Sequence, residues 1–155
     1  MKHCLALVVL AALPATAVAD ILSCDCFETA ESASSLVVNT DVGADCYFAL
    51  GGGFVSQGDP YWLLASLSGT SPGVPIGNTV LPLNPDEVTL LVLENPNTLI
   101  EGSQGTLGAL GFQKASLAVP AGAWGALKGY SMDFAFLHMA PGGMSASNPV
   151  AITFN

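Results

Sequence analysis

Few side chains in this 155-residue protein could do chemistry: four cysteines, two histidines, twelve carboxylates and three lysines, with no arginine. Acyl, glycosyl or phosphoryl transfer to water needs a base, an orienting acid and a nucleophile or activated water gathered on one site. His138 closes the run Met132-Asp133-Phe134-Ala135-Phe136-Leu137, and Asp133 is the only carboxylate near it in sequence. Five residues apart on a strand, the two point to opposite faces. No Gly-x-Ser-x-Gly elbow occurs, since Ser66, Ser68 and Ser71 surround a turn and Ser145 lies in Gly143-Met144-Ser145-Ala146-Ser147. Gly51-Gly52-Gly53 lacks the following lysine and helix of a phosphate cradle and reads as a chain reversal. No residue is therefore assigned a catalytic role.

Two patterns suggest ligands. Asn39-x-Asp41-x-Gly43-x-Asp45 places oxygen side chains at every second residue, as calcium loops do, although glycine stands where a third acid belongs and no bidentate glutamate follows. Calcium is the one cofactor this pattern suggests, with Asn39, Asp41 and Asp45 as its ligands; otherwise no cofactor is expected. Trp124 lies among small residues in Ala121-Gly122-Ala123-Trp124-Gly125-Ala126-Leu127, and with Tyr130 it offers a stacking platform for sugar rings. The adjacent Tyr61 and Trp62 must face opposite sides of a strand, so at least one belongs to the core.

The segment that precedes these residues sets the compartment. Lys2 and His3 lead an apolar run from Cys4 to Leu13, then Pro14 and the small-residue exit Ala17-Val18-Ala19. This is the layout of a secretory leader at residues 1–19, too short to span a bilayer, with cleavage expected before Asp20. Export to the extracellular space, periplasm or cell surface follows. The net charge of −9 falls by one more unit when Lys2 leaves. An acidic protein with two remaining lysines repels phosphate backbones and anionic lipid, which argues against nucleic-acid and membrane partners.

Cleavage also removes Cys4 and leaves Cys24, Cys26 and Cys46, an odd number in an oxidising compartment. Alternation in Asp45-Cys46-Tyr47-Phe48-Ala49-Leu50 puts Cys46, Phe48 and Leu50 on one inward face. A disulfide from Cys46 to Cys24 or Cys26 would close a loop of about 20 residues, contributing about 3 kcal/mol on the chain-entropy model. Zinc on the three cysteines and lipid attachment at Cys24 are the alternatives; no histidine lies near, and Leu22 is bulky for a lipidation site.

These residues need a scaffold. About 136 residues suffice for one domain with its own core. After an acidic arm at 20–33, which carries the Cys-x-Cys, residues 34–155 read as short apolar segments separated by Gly-Asp-Pro, Ser-Pro-Gly, Asn-Pro-Asp, Asn-Pro-Asn and Pro-Gly-Gly turns. Strands are expected at 35–39, 46–50, 61–68, 79–83, 88–93, 105–109, 113–119, 129–138 and 149–154. In the run from Val88 to Leu93 apolar residues occupy both faces, which predicts a central strand covered twice. At 113–119 the alternation is clean, with Ala115, Leu117 and Val119 inward and Lys114, Ser116 and Ala118 outward. The expectation is an all-β, single-domain, immunoglobulin-like β-sandwich of eight or nine short strands.

Several of these segments carry a resemblance. The stretch from Tyr61 through Ser68-Gly69-Thr70-Ser71-Pro72-Gly73, then Leu81-Pro82-Leu83-Asn84-Pro85-Asp86, Asn95-Pro96-Asn97-Thr98, the 105–120 hairpin and Ser147-Asn148-Pro149-Val150 resemble a family of secreted, planctomycete-type bacterial domains of unknown function. The similarity spans roughly residues 32–154 and leaves the Cys-x-Cys arm outside the pattern. It implies an immunoglobulin-like sandwich, often found at the C-terminal end of larger exported proteins, and no activity.

The functional expectation is a non-catalytic structural or interaction module of the cell envelope or extracellular space. Its partner would be a protein, a polysaccharide or a second copy. A small carbohydrate-binding module built on Trp124 and Tyr130 is the alternative, and a secreted hydrolase with an unrecognised site the third reading.

Overall fold

The computed structural model describes the backbone of residues 21–26, 29–33 and 35–155, and side chains from residue 35 onward. The leader and its cleavage site lie outside the described residues. The fold is an all-β sandwich. In one sheet β1 (Ile21–Cys26), β2 (Thr29–Ala33), β4 (Ala44–Gly51) and β9 (Phe112–Val119) run in the order β2-β1-β4-β9. The other sheet runs β3-β12-β10-β5-β8, from β3 (Ser35–Val38), β12 (Val150–Phe154), β10 (Ser131–Ala140), β5 (Pro60–Ser66) and β8 (Gln104–Thr106). A short β11 (Gly143–Ala146) continues the edge of β10, and β6 (Val74–Ile76) and β7 (Thr79–Leu81) form a separate hairpin. Neighbouring strands are antiparallel except β3, which runs parallel to β12.

Period-two alternation sets the inner faces. Cys46, Phe48 and Leu50 of β4 and Ala115, Leu117 and Val119 of β9 are buried, whereas Lys114 and Ala118 are exposed, as expected from sequence. Across the interior, Phe48 meets Phe134 of β10 with ring centroids 4.8 Å apart. Tyr61, Leu63 and Phe136 extend this core, and burial of such side chains at roughly 1.5–3 kcal/mol each is the main force holding the sheets together.

Two departures from the sequence expectations shape the surface. First, the acidic arm at 20–33 supplies β1 and β2, and β1 pairs with β4 along its whole length. Second, the segment expected as a central strand is a helix, α1 (Glu87–Glu94). Asp86 decides this locally: its carboxylate accepts the Val88 and Thr89 N–H groups, while the Thr89 hydroxyl accepts the Asp86 N–H, a closed capping box. The backbone groups that a strand would offer to neighbours are thereby taken up within the first turn. The strand covered on both faces is β5 instead: Tyr61, Leu63 and Ala65 face the core, and α1 packs over its other side, where Leu64 is 5% exposed. The expected strand at 105–109 also ends early, at Thr106, and passes into a 3-10 turn at Ala109–Gly111.

Candidate functional site

The polar residues of the turn motifs hold the backbone in place. Asn84 accepts the Gly73 N–H and donates to the carbonyls of Ser68 and Ser71. Asp86 accepts from Leu67 N–H and from the Ser66 and Ser68 hydroxyls as well as from the helix. Partial burial pushes the Asp86 carboxyl up, but the bonds from Thr89, Leu67, Ser68 and Ser66 outweigh it and leave the pKa below the ordinary value. Asn97, at φ 61°, accepts the Gln104 N–H, and the Ser147 hydroxyl receives the Phe136 N–H. Ser68-Gly69-Thr70-Ser71-Pro72-Gly73, Asn84-Pro85-Asp86, Asn97 and Ser147-Asn148 are thus fastenings of loops to strands.

His138 sits between the sheets, 2% exposed, with Phe136 stacked at 6.0 Å. Asp133 lies on the other face of β10, as its spacing requires. The acid beside His138 is Asp59, with Oδ2 3.3 Å from Nδ1, brought from the turn before β5 by the register that sets His138 opposite Tyr61. Nothing local in sequence links residues 79 positions apart. The Nε2 side faces the backbone of Gly52, where an added Cβ would meet Nε2 at 3.2 Å and Leu107 at 2.8 Å. Ser56, also buried beside Gly52, donates its hydroxyl to the Gly52 carbonyl at 2.8 Å. A serine, a histidine and an aspartate therefore share one end of the core, but the serine hydroxyl is held by backbone and both its residue and the histidine are closed off from solvent.

The calcium pattern folds as a turn. Asn39 Oδ1 accepts the Asp41 N–H at 2.9 Å, both carboxylate oxygens of Asp41 bind Lys128 at 2.7 Å, and Asp45 is exposed on β4. Among the described residues no group of three His, Cys, Asp or Glu side chains is arranged to hold a metal ion. Trp124 is half-buried and its ring rests on Phe154, 5.5 Å away, while Tyr130 is exposed. Tyr61 is core and Trp62 faces outward, the division their adjacency demands. Cys46 is buried opposite Cys26 in the β1–β4 register, with Cys24 opposite Phe48; the side chains of Cys24 and Cys26 lie outside the described residues.

The surface feature the sequence did not reveal is an apolar groove of about 310 Å³ between α1, the β6–β7 hairpin and the outer side of β5 and β10. Trp62, Leu64, Ile76, Leu93, Leu137 and Met144 are among its walls. Its Thr89 presents no free hydroxyl, being bonded to the Ala65 carbonyl at 2.7 Å. Leu90, Leu91 and Leu93 stay 45–55% exposed on this eight-residue helix. The run Val88–Leu93, expected from sequence as a central strand because its apolar residues occupy both faces, supplies the helical wall of this groove.

No family model, curated protein or solved structure matches this chain. Among the described residues no helix is long and apolar enough to cross a membrane.

Proposed function

We propose that this protein is exported and acts without catalysis, as an interaction module of the cell envelope or extracellular space, and that the groove beside α1 receives apolar side chains of a protein partner. The observation that carries this reading is the pair of half-exposed leucines, Leu90 and Leu93, that α1 places at the rim of an apolar concavity. Two half-exposed leucines one helical turn apart, continuous with the apolar wall, form a patch of the kind that marks contact surfaces. The engagement of Asn84, Asp86, Asn97 and Ser147 with backbone, and the burial of His138 and Ser56, support a binding role over a chemical one. The immunoglobulin-like class is part of the same proposal, supported by the edge strand β3 running parallel to the last strand β12 while β1 and β2, which precede it, join the opposite sheet. The likeness to the planctomycete-type domains fits it as well.

A photoreactive side chain placed at position 93 of the exported protein in its producing cells tests this. One discrete protein adduct is expected from position 93 and none from the exposed position 118. Absence of any adduct from position 93, or turnover of esters, glycosides or peptides by the wild type, would overturn the reading.

A further inference from the structure

A second concavity, of about 510 Å³, opens at the edge shared by the two sheets, where the segment after α1 crosses the edge of β9. Its position follows from one bridge: Glu101 and Ser116 exchange backbone hydrogen bonds at 2.8 and 2.9 Å, tying the two sheets together at this edge. Gly102 makes the crossing possible, because at φ +71° it passes so close to β9 that a Cβ would lie 2.8 Å from the Lys114 carbonyl. The floor is Tyr61, whose hydroxyl donates to the Gly102 carbonyl at 2.8 Å and whose ring lies under the bare backbone of Gly105. Around this floor stand the side chains of Asn97, Gln104, Gln113, Glu101, Lys114 and, on the neighbouring β4, Tyr47 at 40% exposure.

The chemistry of that lining narrows the ligand. Lys114 is one of only three basic residues in a strongly acidic chain, and here it shares a cleft with Glu101, so the site is locally balanced. A phosphate or sulfate would meet one lysine next to a carboxylate; a metal or organic cation would meet one carboxylate next to a lysine. Asn97 Oδ1 already accepts the Gln104 N–H and the Gln113 side chain already bonds Tyr61, and an apolar ligand would strip water from the Gln104 amide and from the groups that Asn97 and Gln113 leave over, at a cost for each. Amide side chains carry donors and acceptors together, matching hydroxyl groups, which do the same. A tyrosine ring at the rim supplies a flat apolar face with a polar end. The volume lies within the ~300–1,000 Å³ of small-molecule sites.

We propose that this cleft binds a neutral oligosaccharide, with Tyr47 stacking on a sugar ring, the Gln104 amide bonding its hydroxyls, and Asn97 and Gln113 adding the polar groups they do not spend on the Gln104 N–H and on Tyr61. The aromatic platform is then Tyr47, on the outer face of β4, in place of Trp124, which packs on the core. The site is distinct from the α1 groove, so either can fail without the other.

The full exported chain, titrated with cellotetraose, mannotetraose, chitotetraose and the anionic trigalacturonate while backbone amide resonances are followed, tests the proposal. At least one neutral saccharide is expected to shift amides at 101–105 and 113–116. Gln104→Ala and Tyr47→Ala should each weaken its Kd by about fivefold to tenfold, and Tyr130→Ala should leave it unchanged. If either variant loses the native amide spectrum, Gln113→Ala, at an exposed position, takes its place with the same expectation. Binding of trigalacturonate alone, no binding of any neutral saccharide, shifts centred on Trp124 and Tyr130, or a Kd unmoved by the variants would each overturn it.

Discussion

His138 Nδ1 lies 3.3 Å from Asp59 Oδ2, joining the last third of the chain to the turn before β5 inside the sandwich. His138 is 2% exposed and stacked on Phe136, so its ring fills core volume as well as meeting an acid. His138→Ala is expected to lower stability by about 2–4 kcal/mol, from the cavity and from the carboxylate that loses its partner. Urea unfolding of the two proteins measures this. A loss below about 0.5 kcal/mol would mean that the ring contributes no packing, and a hydrolytic activity abolished in a folded His138→Ala protein would overturn the non-catalytic reading.

Asp86 joins Ser66, Leu67, Ser68, Val88 and Thr89 into one fastening, so its removal should cost more than an ordinary cap. Asp86→Ala is expected to destabilise by about 2 kcal/mol, with loss of helical ellipticity at α1. Because its pKa is lowered by folding, the contribution is fully present above the ordinary carboxylate range and disappears as pH falls through the lower folded value. The wild type should therefore lose stability on acidification below pH ~4 more steeply than Asp86→Asn. Parallel pH profiles for the two would show that the carboxylate charge is not what the network holds.

Asp133 behaves in the opposite sense. Partial burial on β10 raises its pKa, so folding favours its neutral form. Its effect on stability is most favourable below the ordinary carboxylate range and is lost as pH rises through the raised folded value. Asp133→Asn should melt higher than wild type at neutral pH, and the two should converge in acid. A lower melting temperature for Asp133→Asn at pH 7 would contradict this assignment.

Leu117 is fully buried at the centre of β9, while its neighbour Ala118 is exposed opposite Asp45. Leu117→Asp should unfold the domain, since an unpaired buried carboxylate costs several kcal/mol against a total of roughly 5–15. Ala118→Lys should be tolerated. Ser116 is a poorer exposed control, because its hydroxyl contacts the Glu101 carboxylate at 3.3 Å. Equal melting temperatures for Leu117→Asp and Ala118→Lys would show the strand register to be wrong.

Cys26 stands directly opposite Cys46 in the β1–β4 ladder, and Cys24 two residues further along, opposite Phe48. Directly opposed positions bring Cβ atoms to ~4.5–5.5 Å, within small adjustments of disulfide geometry, whereas diagonal neighbours are ~7–8 Å apart. Peptide mapping of the non-reduced protein, isolated with its thiols blocked, should recover a Cys26–Cys46 pair. A Cys24–Cys46 pair, or stoichiometric zinc, would refute it.

The inner faces of β4 and β9 were legible from sequence because a strand buried on one side writes its burial as a period of two, visible within five residues at Cys46–Leu50 and Ala115–Val119. The helix at 87–94 is not written in its apolar run, which occupies every face and fits a buried strand equally well; the Asp86 and Thr89 capping bonds decide it. What only the tertiary structure decided are the pairings that depend on which strands lie side by side. Asp59 beside His138, Glu101 bridged to Ser116, and Tyr47 on the rim of a cleft floored by Tyr61 join residues 14 to 79 positions apart. Local alternation tells each side chain which way to point. The sheet order, set by the packing of whole faces against one another, decides what it finds there.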